Sequence, residues 1–243
     1  MAFRESFTRG NLPHWFVPGA AHFVTYRLSD TLPLDVLKRL RANRDRKLIR
    51  AQPNREVAHK QFFADYDRHL DRVCSKDWLT RPGVPDLIVE NLLHHHGTKY
   101  QLLEFTIMPN HVHALLFPVN PAQADSLNND QHVNVAEAAS FDRQPGEFFS
   151  GEIDDSQSPL SAIMHSLKSY TANQINKHLG RKGQLWQHES YDHWVRDEDE
   201  LMRIAEYIAL NPVRAGLARE APDWAYGSVG IRSFKPGLLP DWK

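Results

Sequence analysis

The sequence predicts an α+β fold, a ferredoxin-like antiparallel sheet with helices packed on one face. Three observations lead there. Short alternating runs rich in β-branched and aromatic residues are interleaved with segments of helical spacing. Two of those runs are joined by a turn-forming dipeptide, Pro109-Asn110, and so make a hairpin. No strand-helix-strand rhythm of the parallel type repeats along the chain.

The elements follow in order. His22 to Leu28 alternates, with Pro18-Gly19 before it and Ser29-Asp30 after it, and predicts a strand. Leu34 to Arg50 is built from good helix formers, with Leu34, Leu37, Leu40 and Leu48 as a thin apolar stripe. Its other faces carry Lys38, Arg39, Arg41, Arg44, Arg46, Lys47 and Arg50, so it predicts a helix with a basic face. Phe62 to Val73 and Pro85 to His96 predict two more helices, the second opened by Pro85 and stopped before Gly97. Tyr100 to Met108 and Val112 to Phe117 are the strands of the hairpin. Leu160, Ile163, Leu167, Tyr170 and Gln174 recur at three- and four-residue spacing, which predicts a helix to Leu179 with Tyr170 in the core and Gly180 as the stop. Tyr191 to Arg196 predicts a short strand, and Asp197 caps a last long helix that Pro212 ends.

Between these elements, Val119 to Ser158 is rich in Asn, Asp, Ser and Gln and lacks apolar periodicity. It reads as a flexible insertion in one domain spanning residues 1–243, with a short C-terminal extension from about residue 225. The insertion holds eight acidic residues against Arg143, a net −7, which leaves +6 for the rest of a chain whose formal net charge is −1. A body of that sign attracts phosphate. No apolar run approaches the roughly 20 residues that span a bilayer, so no membrane partner is expected. The charged N-terminus and the single Cys74 point to a reducing cytoplasm.

His111-Val112-His113 lies at the start of a predicted strand, where residues two apart share a face, so both imidazoles can reach one ion. With an added oxygen they suit Mg²⁺ or Mn²⁺. Two surface histidines alternating on a strand would read the same way. Tyr207 and Asn211, four apart on a helix, also share a face. A phenol beside a metal that binds a phosphate can act as a nucleophile. The same two residues read equally as a core aromatic and a helix cap.

Four motifs in order favour the chemical reading. Met108-Pro-Asn-His-Val-His-Ala-Leu-Leu116, Ser166-Leu-Lys-Ser-Tyr-Thr-Ala-Asn173, the run from Gly183 to Asp197, and Tyr207-Ile-Ala-Leu-Asn-Pro-Val-Arg-Ala-Gly216 together resemble the REP-associated tyrosine transposases, relatives of the single-tyrosine HUH transposases. The likeness runs from about Gly19 to Trp224, omitting the acidic insertion. It implies a metal-dependent endonuclease and strand transferase that acts on single-stranded or hairpin DNA formed by REP-like palindromes. Tyr207 would be the catalytic nucleophile, with His111, His113 and Asn211 as metal ligands. Tyrosine would leave a 5′-phosphotyrosine link and a free 3′-hydroxyl, keeping the bond energy for rejoining. The mobile relatives place Gln where this chain has Asn211. The resemblance also implies a monomer in the bacterial cytoplasm, nucleoid-associated when bound to DNA.

Residues nominated for DNA contact are Lys38, Arg39, Arg41 and Arg44 on the basic helix, then Lys168, Arg181, Lys182, Trp186, His188 and Arg196. Tyr191 and Trp194 are further stacking candidates, with packing of the sheet edge as the competing reading. Two other functions are open. One is a catalytically inactive hairpin DNA-binding module. The other is a water-based metal phosphohydrolase, although a histidine-triad enzyme would need a histidine at the position of Leu115.

Overall fold

The computed structural model describes residues 6–9, 13–50, 55–72, 76–119 and 158–234. Strands β1 (Ser6–Arg9) and β2 (Pro13–Phe16) form a small antiparallel pair. The main sheet is built from β3 (His22–Arg27), β4 (Tyr100–Ile107), β5 (His111–Pro118) and β6 (Tyr191–Trp194) in the order β4-β5-β3-β6, antiparallel at every pairing. Helix α3 (Val84–His94) links β3 to β4, and α4 (Pro159–His178) links β5 to β6. This is the split βαββαβ arrangement of a ferredoxin-like fold, as the sequence predicts. Helices α1 (Leu34–Arg50) and α2 (Arg55–Arg72) are inserted between β3 and α3; α5 (Glu198–Arg214) and α6 (Ser228–Phe234) follow β6.

Alternation along the strands divides the core in two. Val24, Tyr26, Val112, Ala114 and Leu116 pack with Val84, Ile88 and Leu92 of α3 and with Leu160, Ile163, Leu167 and Ile175 of α4. Phe23 and Leu115 belong to the other cluster, with Leu40 of α1, Phe62, Tyr66 and Leu70 of α2, and Leu201, Ala205 and Ile208 of α5. The expectation of helices on one face therefore holds for α3 and α4 alone. The opposite face presents Phe23, Leu103, Leu115 and Tyr191, too apolar to leave wet, and α1, α2 and α5 cover it. A β-bulge between Leu102 and Glu104 shifts the alternation in β4, so Leu102 and Phe105 both join the α3/α4 side. His111 and His113, in step with Leu115, fall on the side covered by α1, α2 and α5.

Two sequence expectations change. Tyr170 is 49% exposed, because the buried stripe of α4 runs from Leu167 to Thr171 and Ile175. Pro212 does not end α5 but lies inside it, where it removes a single N–H donor. The N–H of Ala215 still reaches the Asn211 carbonyl at 2.9 Å, and the helix continues to Arg214. Of the predicted C-terminal extension, Tyr226 and Ser228 tie into the sheet: the Ile107 N–H donates to the Tyr226 carbonyl at 2.8 Å, and Ser228 Oγ accepts from the Phe105 N–H at 3.0 Å. Of the predicted flexible stretch from Val119 to Ser158, residues 120–157 lie outside the described residues. Among the described residues no helix is long and apolar enough to cross a membrane.

Candidate active site

Strand register places the two histidines first. His111 opposes Arg27 and His113 opposes Thr25, near the end of the sheet where β5 begins, and both imidazoles are fully buried. Their Nε2 atoms are 3.1 Å apart. Each Nδ1 is held from behind: that of His111 lies 2.6 Å from Asn110 Oδ1, and that of His113 lies 2.7 Å from the Thr25 hydroxyl. The Asn110 side chain is oriented by its own amide, which donates to the Leu70 carbonyl at 2.9 Å. Its oxygen therefore accepts from His111 Nδ1–H, and the Nε2 lone pair of His111 points to the centre. Burial, with the charge of His113 and against that of Asp67, pushes His111 down to about 3, so the ring is neutral at any physiological pH.

Helix α2 supplies what the strands lack. Asp67 is buried, with Oδ1 3.1 Å from His113 Nε2 and 3.8 Å from His111 Nε2. Burial alone would raise its carboxyl, but His113, His111 and a hydrogen bond from Asn211 together outweigh it and hold Asp67 below the ordinary carboxylate range. Its second oxygen, Oδ2, accepts from the Tyr207 hydroxyl and, at 3.2 Å, from Asn211 Nδ2. One turn further along α2, burial and the Asp67 charge push Asp71 up to about 6.

Helix α5 brings Tyr207 and Asn211 to the same point. Asn211 is buried and its Nδ2 lies 3.4 Å from His113 Nε2 and 3.3 Å from the Tyr207 oxygen. Half-buried Tyr207 sits edge-on to Phe23, Phe63 and His113, with ring centroids at 6.1, 5.9 and 5.8 Å. On its open side the guanidinium of exposed Arg214 lies 5.2 Å from the ring centroid.

The donor set fits a divalent cation. Asp67, His111 and His113 each offer one ligand atom, all within 4.8 Å of one another. Asp67 Oδ1 and Asn211 Oδ1 are buried without a hydrogen-bond partner. Two imidazole nitrogens and a carboxylate oxygen crowd together, an arrangement that a bound cation would relieve, while Asn211 turns its Nδ2 toward them.

No family model matches the chain. A curated protein of Haemophilus influenzae named "Putative REP-associated tyrosine transposase" is 34% identical over 68 residues, 28% of this chain. The likeness read from the motifs is thus met by a curated relative. The chain resembles a REP-associated tyrosine transposase. It spans 38% of that relative's length. A solved structure of a REP-associated tyrosine transposase bound to a REP hairpin superposes with a TM-score of 0.48 at 15% identity, over 95% of this chain and 88% of that one.

Of the residues nominated by likeness to these transposases, the structure brings His111, His113, Tyr207 and Asn211 together. Asp67 escaped the sequence reading, as did Asn110, Thr25 and Arg214. Of the DNA-contact nominees, Lys38, Arg39, Lys182 and His188 are exposed, and the side chains of Arg41 and Arg44 lie outside the described residues. Lys168 is half-buried and donates to the His188 carbonyl at 2.6 Å; burial lowers its ammonium to about 8. The Arg181 guanidinium lies 4.2 Å from the Trp78 ring centroid, and that of Arg196 lies 5.6 Å from that of Trp194. Trp186 is a correction. It is buried against Tyr26 at 4.8 Å, and its indole N–H is committed to Thr171 Oγ1 at 2.9 Å, so it is core on the α3/α4 side and has no face to offer a base. Tyr191 is likewise buried, stacked on Phe63 at 4.5 Å.

Proposed function

We propose that the chain is a divalent-metal-dependent single-stranded DNA endonuclease and strand transferase, with one catalytic domain interrupted by the acidic insertion. The convergence of Tyr207, Asn211 and Asp67 on the histidine pair carries this reading. Simple DNA binding needs no phenol hydrogen-bonded to a buried carboxylate beside two buried imidazole nitrogens. A hydrolase using water would have no use for Tyr207 at that position.

In this reading His111 Nε2, His113 Nε2 and Asp67 Oδ1 would hold Mg²⁺ or Mn²⁺. Asn211 completes the set once a half-turn of its amide exchanges Oδ1 for Nδ2 on the side of His113. A bound ion would supply Lewis-acid polarisation of the scissile phosphate. Tyr207 Oη attacks phosphorus, the P–O3′ bond breaks, and the DNA 5′ end stays on the tyrosine as a phosphodiester. Asp67 Oδ2, which already accepts from the phenol, takes its proton, and that proton returns through water to the departing 3′ oxygen. Asn110 and Thr25 fix the imidazoles, and Phe23 and Phe63 fix the phenol ring, so the nucleophile approaches in one orientation. A bond is exchanged rather than hydrolysed, so the reverse attack by a 3′-hydroxyl rejoins DNA without ATP. The proposed substrate is hairpin DNA from palindromic repeats in a bacterial cytoplasm, bound by a monomer.

The test is a labelled hairpin oligonucleotide from the host's own repeats, incubated with the full chain and Mn²⁺. A denaturation-resistant protein-DNA adduct is expected, lost on chelation and in Tyr207→Phe. Tight binding with no adduct in any metal would favour the inactive binding module, and cleavage surviving Tyr207→Phe would favour a water-based phosphohydrolase.

A further inference from the structure

We infer that Arg214 binds the scissile phosphate and is a catalytic residue of the transfer step. This rests on the proposed tyrosine chemistry. The surroundings of Tyr207 make the case. Its ring contacts Phe23, Phe63 and His113, and its hydroxyl faces Asp67 and Asn211. None of these is a permanent cation, and one is an anion. The permanent positive charge brought against the tyrosine comes from Arg214, two turns further along α5, at 5.2 Å from the ring centroid.

With the phenol's proton on Asp67, a divalent ion, the attacking phenolate and the phosphodiester would sum to zero, so what the step asks for is a cation placed where charge gathers. Charge grows on the non-bridging oxygens, and the planar fork of Arg214 matches two of them. Its side chain is exposed, and among the described residues no carboxylate forms an ion pair with it. It is therefore free to leave the ring face and grip an entering phosphate. Stacking over the phenol keeps the guanidinium beside the nucleophile before DNA arrives, which lowers the ordering cost of the clamp. The plainer role for an arginine in a last helical turn is to satisfy the helix dipole, a role that lysine fills as well and that does not involve DNA.

Two measurements on the full chain separate these roles. Adduct formation is followed in a single turnover with Mn²⁺, saturating protein and a hairpin oligonucleotide carrying a 5′ single-stranded extension. Arg214→Ala is expected to slow it roughly 100-fold or more, the scale of losing one preorganised donor, and Arg214→Lys to recover part of the loss. Equilibrium binding of the same oligonucleotide is measured against salt in Tyr207→Phe and in Tyr207→Phe/Arg214→Ala, where no cleavage intervenes. The second variant is expected to show a slope shallower by about one, the signature of a lost phosphate contact. An unchanged adduct rate, or an unchanged slope in a variant of unchanged thermal midpoint, overturns the assignment. Absence of any adduct with the unsubstituted chain would instead refute the tyrosine chemistry, and the salt slopes would still decide whether Arg214 touches phosphate.

Discussion

Removing the Asn110 side chain should cost stability and metal affinity together. The residue is 2% exposed and joins two parts of the site: its oxygen lies 2.6 Å from His111 Nδ1, and its amide donates to the Leu70 carbonyl at 2.9 Å. Asn110→Ala strands both partners in positions that are 0% and 1% exposed. Each stranded group costs about 1 to 3 kcal/mol, so the loss comes to roughly 2 to 6 kcal/mol. His111 also loses the acceptor that fixes its tautomer, which should weaken Mn²⁺ binding about 10- to 100-fold. Urea unfolding followed by tryptophan fluorescence reads the first effect as a lower midpoint at constant slope, and calorimetric titration reads the second. Asn110→Asp separates them, because it keeps an acceptor for His111 while the Leu70 carbonyl loses its donor. A change below about 0.5 kcal/mol with unaltered Mn²⁺ affinity would refute the bridging role, since that is the scale of an ordinary surface substitution.

Three further outcomes are expected. Asp67→Asn should lower Mn²⁺ affinity by at least about 10-fold in a calorimetric titration while leaving the chain folded, and an unchanged affinity would remove Asp67 from the ligand set. Glu104 is buried beside Arg232 at 3.2 Å, and burial raises its carboxyl from 4.5 to about 7. Folding therefore takes up a proton, a contribution that is complete below about pH 4.5 and is lost as pH rises through about 7, so Glu104→Gln should gain on the natural chain by up to roughly 3 kcal/mol across that window. Parallel stability curves would contradict it. Trp186→Phe gives up the 2.9 Å bond to Thr171 and should lose about 1 to 3 kcal/mol of stability with hairpin affinity per folded molecule unchanged. A selective loss of DNA affinity would restore the stacking role that the sequence suggested for this tryptophan.

What could be read from sequence was local. The two-residue period of β5 puts His111 and His113 on one face, and the four-residue step in α5 brings Tyr207 to Asn211; both follow from element geometry alone. The sheet order is the one that a hairpin followed by a crossover helix allows. Asp67 was missed because its role depends on α2 folding back across the sheet, which no local period reports. A signal was present nonetheless: Asp67 interrupts the stripe of Phe63, Tyr66 and Leu70, and an acid on an apolar stripe needs a partner. Trp186 and Tyr170 were misplaced for the same kind of reason. Each can face either way until packing chooses, and a one-residue drift of the α4 stripe exposed Tyr170 and buried Thr171. The second layer of helices was also hidden, since a strand buried on both faces, such as β5, shows little alternation of hydrophobicity to read.

The central claim is that Tyr207 forms the covalent bond. Tryptic digestion of the adduct made with Mn²⁺ and an end-labelled hairpin oligonucleotide, followed by mass spectrometry of the DNA-bearing peptide, tests it most directly. The account expects the modification on Tyr207, in the peptide of residues 204–214, joined to a DNA 5′-phosphate, with the released fragment ending in a 3′-hydroxyl that a polymerase extends. A modification on Tyr170 or Tyr191, or a tyrosine joined to a 3′ end, would contradict it.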